Sequence, residues 1–182
     1  MVPLVKERVY TVEDIYALPE GQRAELIDGE IYYMSPPTHS HQRLVFSLAR
    51  RIADYIDSNR GECEVNIAPH AVFLSEDDVN YVEPDVFVTC DKNKFQEKGC
   101  IGAPDWIIEI VSPGSKFMDY YRKANKYQKA GVREYWIVDY KRNSITVHSF
   151  ENENSETYTL SDKIPVGIYN GDLQIEFAAL NF

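Results

Sequence analysis

Apolar positions along this chain fall into blocks whose period changes from one segment to the next. From His39 to Ser58, Leu44, Leu48, Ile52 and Ile56 recur at four-residue steps, with Val45 and Tyr55 widening the stripe. That spacing predicts one long amphipathic helix, ending near Gly61. Upstream, Thr11-Val12-Glu13-Asp14 has an N-cap hydroxyl and acids in a first turn, predicting a short helix that stops before Pro19. Ala24-Glu25-Leu26-Ile27 and Glu30-Ile31-Tyr32-Tyr33-Met34 flank Asp28-Gly29, a pair suited to the positive backbone angles of a type I′ hairpin turn.

Beyond the long helix the pattern becomes strand-like. Glu62 to Leu74 and Tyr81 to Cys90 read as two strands separated by the acidic turn Ser75-Glu76-Asp77-Asp78, and Asp91 to Pro104 as a loop. Asp105 to Val111 is almost continuously apolar, which predicts a central strand covered on both faces. Ser112-Pro113-Gly114-Ser115 breaks it and opens a helix from about Lys116 to Ala130, with Gly131 as its C-terminal stop. Val132 to Tyr140 and Ser144 to Phe150 return as strands around a turn at Lys141-Arg142-Asn143. Strand, helix, strand in this order predicts a βαβ crossover and a mixed sheet. No repeat or Pro/Gly/Ser linker divides the chain, so residues 1–182 are read as one α/β domain.

A length of 182 residues with 44% hydrophobic content supports one substantial core. The opening residues carry no apolar run of signal-peptide length, and no segment is long and apolar enough to span a membrane. A soluble, cytoplasmic protein is therefore expected. Cys63, Cys90 and Cys100 are odd in number and lack a C-x-x-C pair. This argues against a disulfide framework or a thiolate zinc site, and all three are expected to be reduced and structural.

The net charge of −10 argues against a protein that coats nucleic acid. Yet the stretch from Lys116 to Arg142 holds eight cations and three anions. An acidic body with one basic strip suits an enzyme that touches a polyanion locally, although a solvated helix face has the same appearance.

Chemistry concentrates in the apolar strands. Asp85 lies in Glu83-Pro84-Asp85-Val86-Phe87-Val88, and Glu109 in Trp106-Ile107-Ile108-Glu109-Ile110. Burying an unpaired carboxylate costs several kcal/mol, so each acid needs a partner. By the two-residue strand period, Glu83, Asp85 and Phe87 share one face, as do Ile107, Glu109 and Val111. Were the strands neighbours in register, the two acids would converge, and two close carboxylates of hard oxygen suit Mg²⁺ or Mn²⁺. At 100° per residue, Phe117, Tyr120, Tyr121, Ala124 and Gln128 fall on one side of the following helix, and Arg122, Lys126 and Lys129 on the other. Lys123 lies on the border, where its amine can reach the sheet to orient water or phosphate, or simply pair with Asp119 on the surface.

Taken in order, Glu25-Leu26-Ile27-Asp28-Gly29-Glu30, His41, Pro84-Asp85-Val86, Ile108-Glu109-Ile110-Val111-Ser112-Pro113, the four-residue steps Asp119, Lys123 and Tyr127, and Gly131 through Asp139 resemble the Uma2 family of endonucleases. That family belongs to the PD-(D/E)xK, restriction-endonuclease-like superfamily. The resemblance implies a central mixed sheet flanked by helices and a Mg²⁺-dependent phosphodiesterase site acting on nucleic acid, with DNA the expected substrate and a homodimer compatible. It carries Asp85 and Glu109 over as metal ligands. The usual lysine two residues after the second acid is here Val111, and the role passes to Lys123, with Lys116 or Lys126 as substitutes. Glu25 and His41 match polar positions that orient water or complete the metal shell, while a hairpin ion pair and a helix cap are their duller readings. Arg122, Lys126, Lys129 and Arg133 are candidate contacts to the nucleic-acid backbone. Tyr127, Tyr135 and Trp136 are read as core. A catalytically idle module of the same fold, or a hydrolase of small phosphodiesters, stands as the alternative.

Overall fold

The computed structural model describes residues 8–112 and 118–182. Its centre is a six-stranded sheet in the order β11-β10-β9-β8-β5-β3, built from β3 (Glu64–Ile67), β5 (Val86–Thr89), β8 (Trp106–Ile110), β9 (Glu134–Asp139), β10 (Ser144–Ser149) and β11 (Asn154–Tyr158). β8 and β9 run parallel and every other neighbouring pair is antiparallel, so the sheet is mixed. The parallel pair is joined by helix α3 (Ala124–Ala130), the expected crossover.

Alternate residues of the central strands feed two separate cores. Val86, Val88, Trp106, Ile108, Ile110, Trp136 and Val138 point to one side. There they meet helix α2 (His39–Ser58) through Leu44, Leu48, Ile52 and Ile56, and a C-terminal ribbon, β12 (Lys163–Pro165) with β13 (Gln174–Glu176). Phe87, Ile107, Tyr135 and Ile137 point the other way and pack with Tyr127 of α3 and with a three-stranded sheet of β4 (Val72–Phe73), β7 (Gly99–Ile101) and β6 (Phe95–Gln96). Burial on both faces explains why β8 reads as an unbroken apolar run. Leu48 is fully buried beneath α2. Leu48→Ala is expected to cost about 3 kcal/mol and to lower the thermal midpoint by roughly 6–12 °C, read by circular dichroism.

Helix α1 (Val12–Tyr16) carries a capping box between Thr11 and Asp14. The hairpin of β1 (Ala24–Ile27) and β2 (Glu30–Tyr33) turns through Asp28 and Gly29, both at positive φ, as their side chains permit. Gly131 closes α3 in the left-handed conformation.

Four expectations need correction. The strand read over Glu62 to Leu74 is two: β3 pairs with β5, whereas β4 (Val72–Phe73) pairs with β7 (Gly99–Ile101), and Pro69, with no N–H to give, lies at the break. The strand read from Tyr81 likewise begins only after Pro84; Tyr81 and Val82 instead bridge to Leu26 and Val72. The stretch read as a loop from Asp91 to Pro104 contains the hairpin of β6 (Phe95–Gln96) and β7. Strands this short have no readable period, and tertiary pairing with Ala71 and Phe73 creates them. Finally, Cys63 and Cys90 form a disulfide, leaving Cys100 free and buried. The antiparallel register that pairs Glu64 with Thr89 sets these two cysteines opposite each other, a proximity that spacing along the chain does not reveal.

Candidate active site

β5 and β8 pair with Val86 opposite Ile108, and one step further along this antiparallel register Asp85 stands opposite Glu109. The two carboxylates are locked to each other's strand. The Ile110 N–H donates to Asp85 Oδ2 at 2.8 Å, and the Asp85 N–H faces Glu109 Oε2 at 3.4 Å. Asp85 is the more open of the two, with 17% of its side chain exposed against 5% for Glu109. The site therefore opens to solvent at Asp85.

The segment before α3 is π-helical over Met118–Lys123. This wider winding changes the helical wheel assumed at 100° per residue. Asp119, Lys123 and Tyr127 form the buried face, while Tyr121 and Gln128 are exposed. The border position read for Lys123 is thus corrected: it is buried beneath the sheet-facing side. Phe117, Lys116 and the expected helix start lie outside the described residues.

Lys123 Nζ sits 2.8 Å from Glu25 Oε2, 2.9 Å from Glu109 Oε1 and 3.7 Å from Asp119 Oδ1. The surface pair with Asp119 is thereby replaced by a buried node joining the first hairpin, the central strand and the crossover helix. Burial alone would lower the ammonium's pKa, but the surrounding carboxylates, Glu109 first, raise it well above its ordinary value. Glu109 responds in the opposite sense to its pairing. Burial, with Asp85, Asp119 and Glu25 nearby, outweighs the pull of Lys123 and pushes its carboxyl up to about 8. Three acids around Lys123, with Asp85 beside Glu109, leave this hollow short of positive charge.

His41, in the first turn of α2 and backbone-capped by Thr38, places Nε2 3.1 Å from Asp85 Oδ2. Burial lowers its pKa, yet the hydrogen bond and charge of Asp85 more than reverse this and leave it raised. Glu25 does more than pair with a cation: its Oε1 accepts the Glu83 N–H at 3.0 Å. Glu83 is in turn held by Arg23 Nε at 2.9 Å and by the Tyr81 hydroxyl at 2.6 Å. Asp85, Glu109, Lys123, Glu25 and His41 are thus brought together.

The basic strip is not. Arg122 and Lys126 grip Glu30 and Asp28 of the first hairpin, Arg133 pairs with Asp105 and Glu151 near the start of β8, and Lys129 is exposed. One contributor was missed as chemistry. The Tyr127 hydroxyl donates to Glu109 Oε1 at 2.8 Å, its ring standing edge-on to Tyr135 at 4.9 Å. Its four-residue step from Lys123 was the available signal.

A mixed sheet flanked by helices, with a carboxylate pair on adjacent strands and a lysine from the crossover helix, defines a nuclease-like α/β protein. The comparisons agree. A crystal structure of a putative nuclease belonging to DUF820 from Anabaena variabilis superposes with a TM-score of 0.76 at 21% identity, covering 93% of this chain and 96% of that one. Two Synechocystis proteins, the uncharacterized slr1290 and sll1609, are 24% and 25% identical over 150 and 121 residues. The alignments span 80% and 65% of this chain and 77% and 67% of theirs. The Uma2 family model, described as "Putative restriction endonuclease", matches residues 12–168. The chain belongs to the Uma2 family. Among the described residues, no helix is long and apolar enough to cross a membrane.

Proposed function

We propose that the protein is a Mg²⁺- or Mn²⁺-dependent endonuclease that hydrolyses phosphodiester bonds of nucleic acid, DNA being the expected substrate. The observation that carries this reading is the convergence of Asp85 and Glu109 at one hollow where acids outnumber cations. Among the described residues no group of three or more His, Cys, Asp or Glu side chains is arranged to hold a metal. A carboxylate pair nevertheless fits Mg²⁺, which commonly takes one or two carboxylates and fills its remaining positions with water and phosphate oxygens. Asp85 and Glu109 would hold the ion, which when bound polarises phosphate and lowers the pKa of water.

The chain's own groups have separable tasks. Lys123 and Tyr127 both donate to Glu109 Oε1 and fix its orientation. The looser contact of Lys123 with Asp119 leaves an N–H with which to meet phosphate or water. His41 steadies Asp85 at the mouth and can carry a proton there. Exposed ion pairs are weak, so a phosphate can draw Arg122 or Lys126 away from its hairpin acid. Such contacts position the backbone without reading sequence.

Calorimetric titration of Mn²⁺ should show binding to the wild type and loss of at least tenfold in affinity for Asp85→Ala. Equal heats in both proteins would remove Asp85 from the metal site.

A further inference from the structure

On the sheet face shared by Phe87 and Ile107 lies an open cleft of about 590 Å³ between the residues entering β4 and the β6–β7 hairpin. Pro69, His70, Phe95, Gln96 and Lys98 line it. Its position is set by β5. The Ala68 N–H donates to the Asp85 carbonyl at 3.3 Å, and His70 folds back so that its ring meets Phe87 edge-on at 5.1 Å. Phe87 shares the strand face of Asp85 one pleat repeat away, about 7 Å along the strand. The residues at the cleft's entrance are thereby tied to the strand that carries Asp85.

We propose that this cleft is a nucleobase subsite, which takes an unstacked base next to the scissile phosphate. The subsite rests on the nuclease reading above and adds to it a preference for substrate whose bases are unpaired near the cut.

The lining matches a flat, uncharged, hydrogen-bonding ligand. Phe95 is half-buried and its ring packs against that of His70 at 6.0 Å, so an aromatic pair forms one wall of the cleft. Every base offers a π-face, and stacking on such rings is tolerant of sequence. Burial lowers the pKa of His70 and keeps its imidazole neutral near pH 7. The exposed Gln96 amide brings both a donor and an acceptor to the rim. Lys98 and Glu97 bring opposite charges to the lining, so it carries no net charge to hold a phosphate. The Lys98 ammonium also rests 5.0 Å above the Phe73 ring, so its stem is held along the hairpin. The floor is backbone: at Gly99 (φ +140°) a methyl group would collide with the Ala71 carbonyl, so the hairpin approaches β4 as closely as a chain can.

The test uses a short single-stranded DNA oligonucleotide carrying a fluorescent aminopurine base, titrated in EDTA into wild type, Phe95→Leu and the double variant Gln96→Ala/Lys98→Ala. Leucine retains the apolar contact of Phe95 without its ring, and the double variant changes only exposed side chains, so folding is preserved in at least one arm. Wild type should quench the aminopurine, and both variants should bind about tenfold more weakly. A fully paired duplex should compete at least tenfold less well. Unchanged fluorescence, or equal affinity in all three proteins, overturns the subsite. Cleavage with Mg²⁺ or Mn²⁺ distinguishes the two readings. Wild-type cleavage unaltered in KM by Phe95→Leu removes the subsite and leaves the nuclease. Aminopurine stacking without cleavage at any metal concentration leaves the subsite and removes the nuclease.

Discussion

Lys123→Met is expected to lower the thermal midpoint by roughly 6–20 °C and to reduce cleavage about 10²–10⁴-fold. The side chain is 6% exposed and its ammonium is shared by Glu25, Glu109 and Asp119. Methionine fills the volume but leaves Glu25 and Asp119, and Glu109 once it ionises, without their cation, and stripping one partner from a buried ionic cluster typically costs 3–5 kcal/mol, or about 2–4 °C per kcal/mol in a chain of this size. Adding Glu25→Gln in the Lys123→Met background should recover part of the loss, because one of the stranded charges is then gone; melts of the single and double variants measure that coupling. A midpoint unmoved by Lys123→Met would mean that the ammonium is solvated and the node does not exist.

Glu109→Gln should act in the opposite direction on stability. The folded-state pKa of Glu109, about 8, lies above its ordinary 4.5. Its contribution to stability is therefore complete below about pH 4.5 and is lost as pH rises through about 8. Ionised, it is a burden to the metal-free fold. The neutral amide removes that burden, so at pH 8 the variant should be more stable than wild type by on the order of 2–4 kcal/mol, with the gain shrinking toward pH 5. Chemical denaturation in EDTA at both pH values reads the difference. The same substitution should abolish Mn²⁺ binding and cleavage. A variant less stable than wild type at pH 8 would show that the acid is content in its pocket without a metal. A site that weakens its own fold for the sake of charge is the familiar trade between stability and activity.

How far the site was legible depended on the distance over which each signal acts. Strand period put Asp85 and Glu109 on faces that could meet, while the pairing of β5 with β8 that sets them opposite each other is a long-range contact and came only with the structure. The α2 stripe and the Gly131 cap were local. The burial of Lys123 was not, since the π-helical turn over Met118–Lys123 alters the residue spacing on which a helical wheel depends. The Cys63–Cys90 bond and the β6–β7 hairpin arise from contacts between segments distant in sequence and leave no periodic trace. Tyr127 was read as core correctly by its burial, but its hydroxyl takes part in the polar node as well.

The way β5 and β8 face each other also bears on how such an enzyme can change over evolutionary time. Because both acids are anchored by antiparallel ladder contacts, the exposed Gln96, Glu97 and Lys98 between their strands can be rewritten without displacing either oxygen pair. Those residues lie at the tip of the β6–β7 hairpin, so descendants of this scaffold are free to vary that tip while inheriting an unaltered acid pair.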